Sequence, residues 1–257
     1  MLFHSTYQKI DGASGQASAP RALEARVSTV VLPMLENICA LTVGTDGMVF
    51  LSTDSALTSF RLEGLSLCSR APGPGPDGIQ DGQGAKARFN RPHGLAMASD
   101  GSLLVADTWN HRLRRVSPHG TVSTVAGGKG FADGVGTAAR FDMPWGILID
   151  GHGTIYVSDW WNHCICKVVP QTGWSRRCGK KQIGFADGAA EAARFNLPTG
   201  MALDMDGTLI IADSGKHCIR KVDTSASRRW QAAGLEAIKK KNSVRRTELW
   251  VRFRRNF

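Results

Sequence analysis

The chain has 257 residues, of which 42% are hydrophobic, and it carries a formal net charge of +10. That length and apolar content are sufficient for a folded core. No apolar run approaches the roughly 18 residues of a membrane-spanning helix. The N-terminus lacks the charged start and long apolar segment of a secretory signal, although its Ser-, Ala- and Gly-rich composition leaves a transit peptide open.

The N-terminal segment contains fragments of a pattern that is complete further along the chain. Residues 7–11 resemble residues 219–223, and Val27–Val30 has the same Val-Ser-Thr-Val sequence as Val122–Val125. Both fragments correspond to late strands of a repeat unit. We therefore predict a partial unit, or strands that close one, over residues 1–35.

A block of the form Arg-Phe-x-x-Pro-x-Gly occurs three times, at Arg88–Gly94, Arg140–Gly146 and Arg194–Gly200. The copies begin 52 and 54 residues apart. A period of this size indicates a repeat architecture. Residues 40–53 match the start of the same unit but lack the Arg-Phe block.

Each copy continues with the same succession of short elements. An apolar run, a glycine turn and a second apolar run ending in aspartate come first, and a histidine stands four residues after that aspartate. A third β-branched run follows, and the first copy closes with a fourth. Four short β-rich runs per unit predict an all-β fold, a β-propeller of four-stranded antiparallel blades. About four to five blades are visible, in a ring that is either complete or incomplete.

The stretch Pro92–Leu113 resembles an NHL repeat, which is named for its Asn-His-Leu sequence. Asn110 and His111 supply the first two of these residues, and Asn162 and His163 match them in the next copy, whereas the third copy has lysine before its histidine. The resemblance implies an NHL-type β-propeller over residues 36–227. It does not fix the function, because NHL propellers have many unrelated activities.

The C-terminal segment, residues 228–257, has a different composition. It holds ten basic and two acidic residues, which accounts for +8 of the net charge of +10. Blocks of like charge are usually solvated, so we predict a disordered or helical tail. The alternative is a nucleic-acid contact through the most basic stretch, which contains Lys239, Lys240, Lys241, Arg245 and Arg246.

The six cysteines include no Cys-x-x-Cys pair, which argues against zinc-ribbon spacing. Cys164 and Cys166 lie in a predicted strand, where we expect free buried thiols. Reduced cysteines favour an intracellular, cytoplasmic protein. We expect no cofactor and no metal, and the recurring histidines belong to separate blades that cannot converge on one ion.

Two further recurring patterns are interpreted as structural. Each histidine and the aspartate before it are expected to tie a hairpin turn through side-chain hydrogen bonds. An aspartate and an arginine also recur seven residues apart on either side of each connection between blades, and we expect them to pair and fix the loop. These pairs are Asp81 with Arg88, Asp133 with Arg140, and Asp187 with Arg194.

Aromatic residues cluster on one predicted face, which carries the connections between blades. Tryptophan is seldom required by a turn, and exposed aromatics commonly anchor interfaces. Burial of the rings between blade loops is the alternative. The predicted partner-binding residues are Arg91, His93, Trp109, Trp145, Trp160 and Trp161.

We therefore predict a non-catalytic scaffold that binds a protein or peptide partner. RNA binding, aided by the basic tail, is one alternative. A lyase- or lactonase-like enzyme with a metal at the central channel is another, because Asn90, Asp142 and Asn196 occupy matching positions near the axis. No acid–base pair with a distinctive spacing supports that alternative.

Overall fold

A computed structural model describes residues 37–54, 56–61, 78–169, 174–179, 181–190, 192–223 and 231–233. The partial unit predicted at residues 1–35 and the basic stretch of the tail lie outside the described residues. No helix in the described part of the chain is long and apolar enough to cross a membrane.

The described strands form four antiparallel sheets, numbered here as blades one to four. Blade one contains β1 (Ala40–Val43), β2 (Met48–Ser52) and β3 (Leu57–Arg61). Blade two contains β4 (Gly82–Gln83), β5 (Pro92–Met97), β6 (Leu103–Asp107), β7 (Arg112–Val116) and β8 (Thr121–Gly127). Blade three contains β9 (Gly134–Val135), β10 (Pro144–Ile149), β11 (Ile155–Asp159), β12 (Cys164–Val169) and β13 (Trp174–Cys178). Blade four contains β14 (Gly188–Ala189), β15 (Pro198–Leu203), β16 (Leu209–Asp213), β17 (Cys218–Asp223) and β18 (Gln231–Ala233).

Blades two to four confirm the predicted order of four consecutive antiparallel strands. Each also has a fifth strand of two residues, which pairs with the outermost strand and comes from the connection that precedes the blade. In blade four the outermost strand is Gln231–Ala233, beyond the predicted end of the repeats at residue 227.

Short 3₁₀ turns are the helical elements of the described residues. Two precede the innermost strands of blades two and three, at Gly84–Lys86 and Gly136–Ala138. The other three connect the second and third strands of their blades, at Thr108–Asn110, Trp160–Asn162 and Ser214–Lys216.

The core lies between the blades. The innermost strands β1, β5, β10 and β15 contact one another in chain order. The phenylalanine of each Arg-Phe block, at Phe89, Phe141 and Phe195, is fully buried. Phe141 packs in a cluster with Leu113 of blade two and Val157 of blade three. The recurring phenylalanine therefore joins each blade to the one before it.

The face of each blade that points toward the next one carries equivalent apolar residues. Leu113 in blade two and Ile165 in blade three are both 0% exposed, and both pack against the following blade. Ile219, at the same position in blade four, is 46% exposed. This difference arises because blade four is the last blade in the described part of the chain.

Glycine in the innermost strands permits close contact between neighbouring blades. A Cβ atom on Gly94 would collide with the carbonyl oxygen of Trp145, and one on Gly146 would collide with that of Thr199. A Cβ atom on Gly200 would have no atom within 4 Å. The glycines of the first two Pro-x-Gly motifs, Gly94 and Gly146, therefore allow each blade to approach the next one closely.

We expect Gly146→Ala to lower the free energy of unfolding by at least about 2 kcal/mol, because backbone of the next blade must move. The matched control, Gly200→Ala, should change it by less than about 0.5 kcal/mol. Chemical denaturation of the full chain measures both. Equal effects of the two substitutions would contradict this account of blade contact.

Candidate functional site

A buried arginine holds each of blades two and four together. The side chain of Arg114 is 0% exposed and bridges two carboxylates, with Nη1 2.8 Å from Oδ2 of Asp107 and Nη2 2.8 Å from Oδ1 of Asp81. It also donates to the carbonyl oxygens of Arg88 and Gln80. One side chain thus connects the second strand, the third strand and the loop that leads into the blade.

Blade four repeats this arrangement with Arg220. Its Nη1 lies 3.2 Å from Oδ2 of Asp213, and its Nη2 lies 2.5 Å from Oδ1 of Asp187. The sequence signal for this bridge is an arginine seven residues after the strand-ending aspartate. None of the pairs predicted from the sequence includes Arg114 or Arg220.

The predicted loop pairs name the wrong arginine partners. These pairs were Asp81 with Arg88, Asp133 with Arg140, and Asp187 with Arg194. The ion-pair partners of the three aspartates are Arg114, Arg177 and Arg220. Arg88 and Arg140 instead donate to backbone carbonyl oxygens of their own loops. The loops are fixed as predicted, but by backbone bridges, such as that between Gln80 and Arg88, together with an arginine from a distant strand.

Blade three differs at the position of the buried arginine. Cys166 takes the place of Arg114 and Arg220, and Arg177 reaches from the neighbouring strand to contact Asp133, with Nε 3.2 Å from Oδ1. Oδ2 of Asp159 accepts a hydrogen bond from the amide of Asn162, at 2.7 Å, and Oδ1 accepts one from the backbone N–H of Asp142. No arginine forms an ion pair with this carboxylate among the described residues.

The pKa values of the strand-ending aspartates reflect these surroundings. Burial raises the pKa of Asp107 to about 6, against the opposing effect of its hydrogen bonds and of Arg114. Burial raises the pKa of Asp159 to about 8. Hydrogen bonds and Arg114 oppose the rise at Asp107, whereas at Asp159 the nearby charge of Asp142 adds to the rise in pKa and Arg177 opposes it.

We expect Arg114→Met to cost roughly 3–5 kcal/mol of unfolding free energy, because it leaves Asp107 buried without its cation. Arg115→Met is the control, since Arg115 pairs with Asp100 on the surface and such pairs contribute about 1 kcal/mol or less. Denaturant titration of both variants separates the two cases. A loss for Arg114→Met as small as the control's would show that the buried bridge is not stabilising.

The recurring histidines connect blades, which differs from their predicted role in the hairpin turn. His111 and His163 end their 3₁₀ turns in the left-handed conformation, with φ of 55° and 56°. Nδ1 of His111 accepts a hydrogen bond from the backbone N–H of Met143 in the next blade, and His163 does the same for Leu197. The aspartate alone ties the turn, through the asparagine three residues later.

Four of the predicted partner-binding residues form a continuous aromatic strip across blades two and three. The rings of His93 and Trp145 are stacked, with centroids 3.9 Å apart. Trp145 lies 5.2 Å from Trp160, and Trp160 lies 5.0 Å from Trp161. Trp161 is 50% exposed, so the strip ends at the surface.

The remaining two predicted residues form a separate pair. The guanidinium carbon of Arg91 lies 4.6 Å from the ring centroid of Trp109, which is 45% exposed. This is the distance of a cation–π contact. Trp109 therefore remains about half-exposed beside this guanidinium.

Backbone contacts fix the strip in place. Oδ1 of the buried Asp159 accepts a hydrogen bond from the N–H of Asp142, at 2.7 Å, and the N–H of Trp161 donates to the carbonyl oxygen of Asp142. Met143, just before the proline of the block, has a φ of 53°. The strip is therefore mounted on a strained, multiply hydrogen-bonded loop.

Blade four lacks aromatic residues at the equivalent positions. Thr199 replaces the ring of Trp145, and its hydroxyl lies 2.5 Å from that of Ser214, which replaces Trp160. Gly215 stands where Trp161 stands in blade three. The aromatic surface is thus confined to blades two and three of the described chain.

The polar residues proposed for an enzyme are engaged locally. Oδ1 of Asp142 lies 3.2 Å from Nδ1 of His111, and Asn196 donates to the carbonyl oxygen of Gly215. The one group of three or more possible His, Cys, Asp or Glu metal ligands among the described residues does not include Asp142. The contacts of Asp142 and Asn196 support the blade connections.

Successive antiparallel blades, joined at their innermost strands, place this chain among the β-propeller repeat proteins. The NHL repeat model matches residues 89–115, 141–168 and 195–222, which are the second to fourth blades. The chain is therefore an NHL-repeat protein, as the Asn-His pairs predicted.

Curated relatives share the repeat region. The chain is 32% identical over 155 residues to NHL repeat-containing protein 2 of Homo sapiens, which covers 54% of this chain and 21% of that protein. It is 30% identical over 151 residues to Protein SUPPRESSOR OF QUENCHING 1, chloroplastic, of Arabidopsis thaliana, covering 52% of this chain and 14% of the relative. The chain thus matches less than a quarter of either relative.

Solved structures agree on the fold. A structural genomics protein of unknown function from Bacteroides thetaiotaomicron superimposes with a TM-score of 0.59 at 19% identity, covering 76% of this chain and 47% of that one. The virginiamycin B lyase of Staphylococcus aureus gives a TM-score of 0.52 at 15% identity, covering 78% and 56%. At this identity the likeness extends to the fold alone.

Proposed function

We propose that this protein is a non-catalytic NHL-propeller scaffold that binds a protein partner as an extended peptide segment. The observation that supports this function is the aromatic strip of His93, Trp145, Trp160 and Trp161, which ends in a half-exposed ring. Tryptophan anchors with defined orientation are typical of binding hot spots. A rigid surface also reduces the entropy lost on binding.

The layout of the surface favours a partner of particular chemistry. The strip offers flat apolar area, and Arg91 beside it provides a positive charge stacked on Trp109. Proline and other apolar side chains pack well on aromatic faces, and a carboxylate is the natural partner of a guanidinium. We therefore expect a segment that combines apolar or proline residues with an acidic residue.

RNA is the second candidate, because aromatic rings and an adjacent arginine also suit stacked bases. The basic residues of the tail would add affinity for phosphate. The near-neutral remainder of the chain, which carries +2 of the +10 charge, favours the peptide instead.

A lyase or lactonase activity is supported only by the similarity of fold. The described cysteines, all free, suit an intracellular location.

The double variant Trp109→Ala, Trp161→Ala should weaken partner binding by roughly 30-fold or more, which corresponds to about 2 kcal/mol. Both rings are half-exposed, so the melting temperature should change by only a few degrees. The binding assay uses the partner captured by cross-linking and identified by mass spectrometry. Calorimetry supplies the melting temperature.

The control for this experiment is Met205→Ala, which removes a 90% exposed apolar side chain from a turn between two strands of blade four. It should leave partner binding unchanged. A large loss of thermal stability in the tryptophan double variant would mean that the rings hold the blades together. The peptide surface would then have to be abandoned.

Truncation after Ala233, which keeps strand β18 of blade four, distinguishes the two candidate partners, with Lys239→Gln, Lys240→Gln, Lys241→Gln as a variant that preserves chain length. RNA binding through the tail should disappear in both, together with its steep dependence on salt concentration. Peptide binding should persist in the charge variant. RNA affinity that persists in both variants would place the RNA contact on the blades.

A further inference from the structure

Blade three contains a compact group of buried metal-binding side chains. The carboxylate of Asp159 and the thiols of Cys164 and Cys166 are all buried, and their ligand atoms lie within 4.8 Å of one another. Oδ2 of Asp159 is 4.0 Å from Sγ of Cys164 and 3.9 Å from Sγ of Cys166. The two cysteines are two residues apart on one strand, so their side chains share a face of the sheet.

In the neighbouring blades a cation lies beside the equivalent carboxylate. In blades two and four the equivalent aspartates contact a guanidinium, at 2.8 Å and 3.2 Å. Cys166 occupies the position of that arginine. Arg177 forms an ion pair with Asp133, the aspartate of the connecting loop, and not with Asp159. A buried carboxylate without a cation is strongly unfavourable.

The donor atoms suit a divalent ion, because two thiolates and one carboxylate are anionic ligands of the kind that zinc binds. Oδ1 of the buried Asn162 also has no hydrogen-bond partner, and the amide nitrogen of the same side chain touches Asp159.

We propose that Asp159, Cys164 and Cys166 bind a structural Zn²⁺ ion, which takes the place of the arginine found in the neighbouring blades. Thiolate and carboxylate ligands in a tetrahedral arrangement are those that zinc prefers. Binding forms two Zn–S bonds and one Zn–O bond, retains one water from the hydrated ion as the fourth ligand, and releases the two thiol protons and any carboxyl proton to solvent. The site is closed to solvent, so the ion binds as the blade folds.

This proposal replaces the expectation of inert free thiols at Cys164 and Cys166. Zinc binding does not depend on peptide binding, but the zinc site is connected to the aromatic strip through Asp159. Asp159 binds the ion through one oxygen, and the other oxygen accepts the hydrogen bond from Asp142 that fixes the aromatic strip. Zinc would therefore stabilise the loop that carries Trp145.

The experiment measures zinc in the full-length chain, expressed with added zinc and passed over a chelating resin, by inductively coupled plasma mass spectrometry. We expect one zinc per chain. The key variant is Cys166→Arg, Arg177→Thr, which recreates blade two, where Arg114 faces Thr124 across the strands. This variant should fold and contain no zinc. Cys39→Ser and Cys218→Ser, in other blades, should retain it.

A second readout uses Co²⁺ in place of zinc, which should give the thiolate charge-transfer absorption of the wild-type chain and none in the double variant. Chelator should lower the melting temperature of the wild type only. Cys164→Ser is a gentler variant that should weaken zinc binding at least about 100-fold, as loss of a ligand requires. Folded wild-type protein without zinc, or zinc retained by the double variant, would overturn the proposal.

Discussion

One carboxylate in each of blades two to four, at the end of the second strand, organises the structure. Asp107 accepts hydrogen bonds from the backbone of Asn90, from the amide of Asn110 and from Arg114. These groups come from the loop before the blade, the turn beside it and the third strand. Burying this charge is costly, and these donors offset the cost. These hydrogen bonds therefore fix the loop, the turn and the third strand relative to the second strand.

The three complete blades show that the aspartate is kept while its cation changes. Blades two and four neutralise it with an arginine on the third strand, whereas blade three has Cys166 there and Arg177 on the next strand. Cysteine at position 166 is accompanied by arginine at position 177 because Asp133, in the connection between blades, still requires a cation. Blade three is chemically distinct because, among the described residues, no arginine forms an ion pair with Asp159.

Blade three is also the blade with the most aromatic residues. One loop contacts both Asp159 and the aromatic strip. Asp159 fixes the backbone of Asp142, and the block that begins there presents Trp145 to Trp160 and His93. Blade four keeps the same backbone with Thr199 and Ser214 in place of rings. The repeat therefore provides a constant frame, and the residues that it leaves free to vary define the surface available to a partner.

The sequence by itself determined the all-β class, the repeat period, the strand order and the face that carries the tryptophans, because these follow from local patterns of apolar residues, glycine and proline. Side-chain partners were decided only by the tertiary structure. Asp81 and Arg88 are close along the chain, but the guanidinium that reaches Asp81 comes from Arg114, on a strand that pairs nearby. The histidines likewise contact the next blade, 32 and 34 residues away. Such contacts depend on how sheets stack, and no local spacing encodes the distance between two blades.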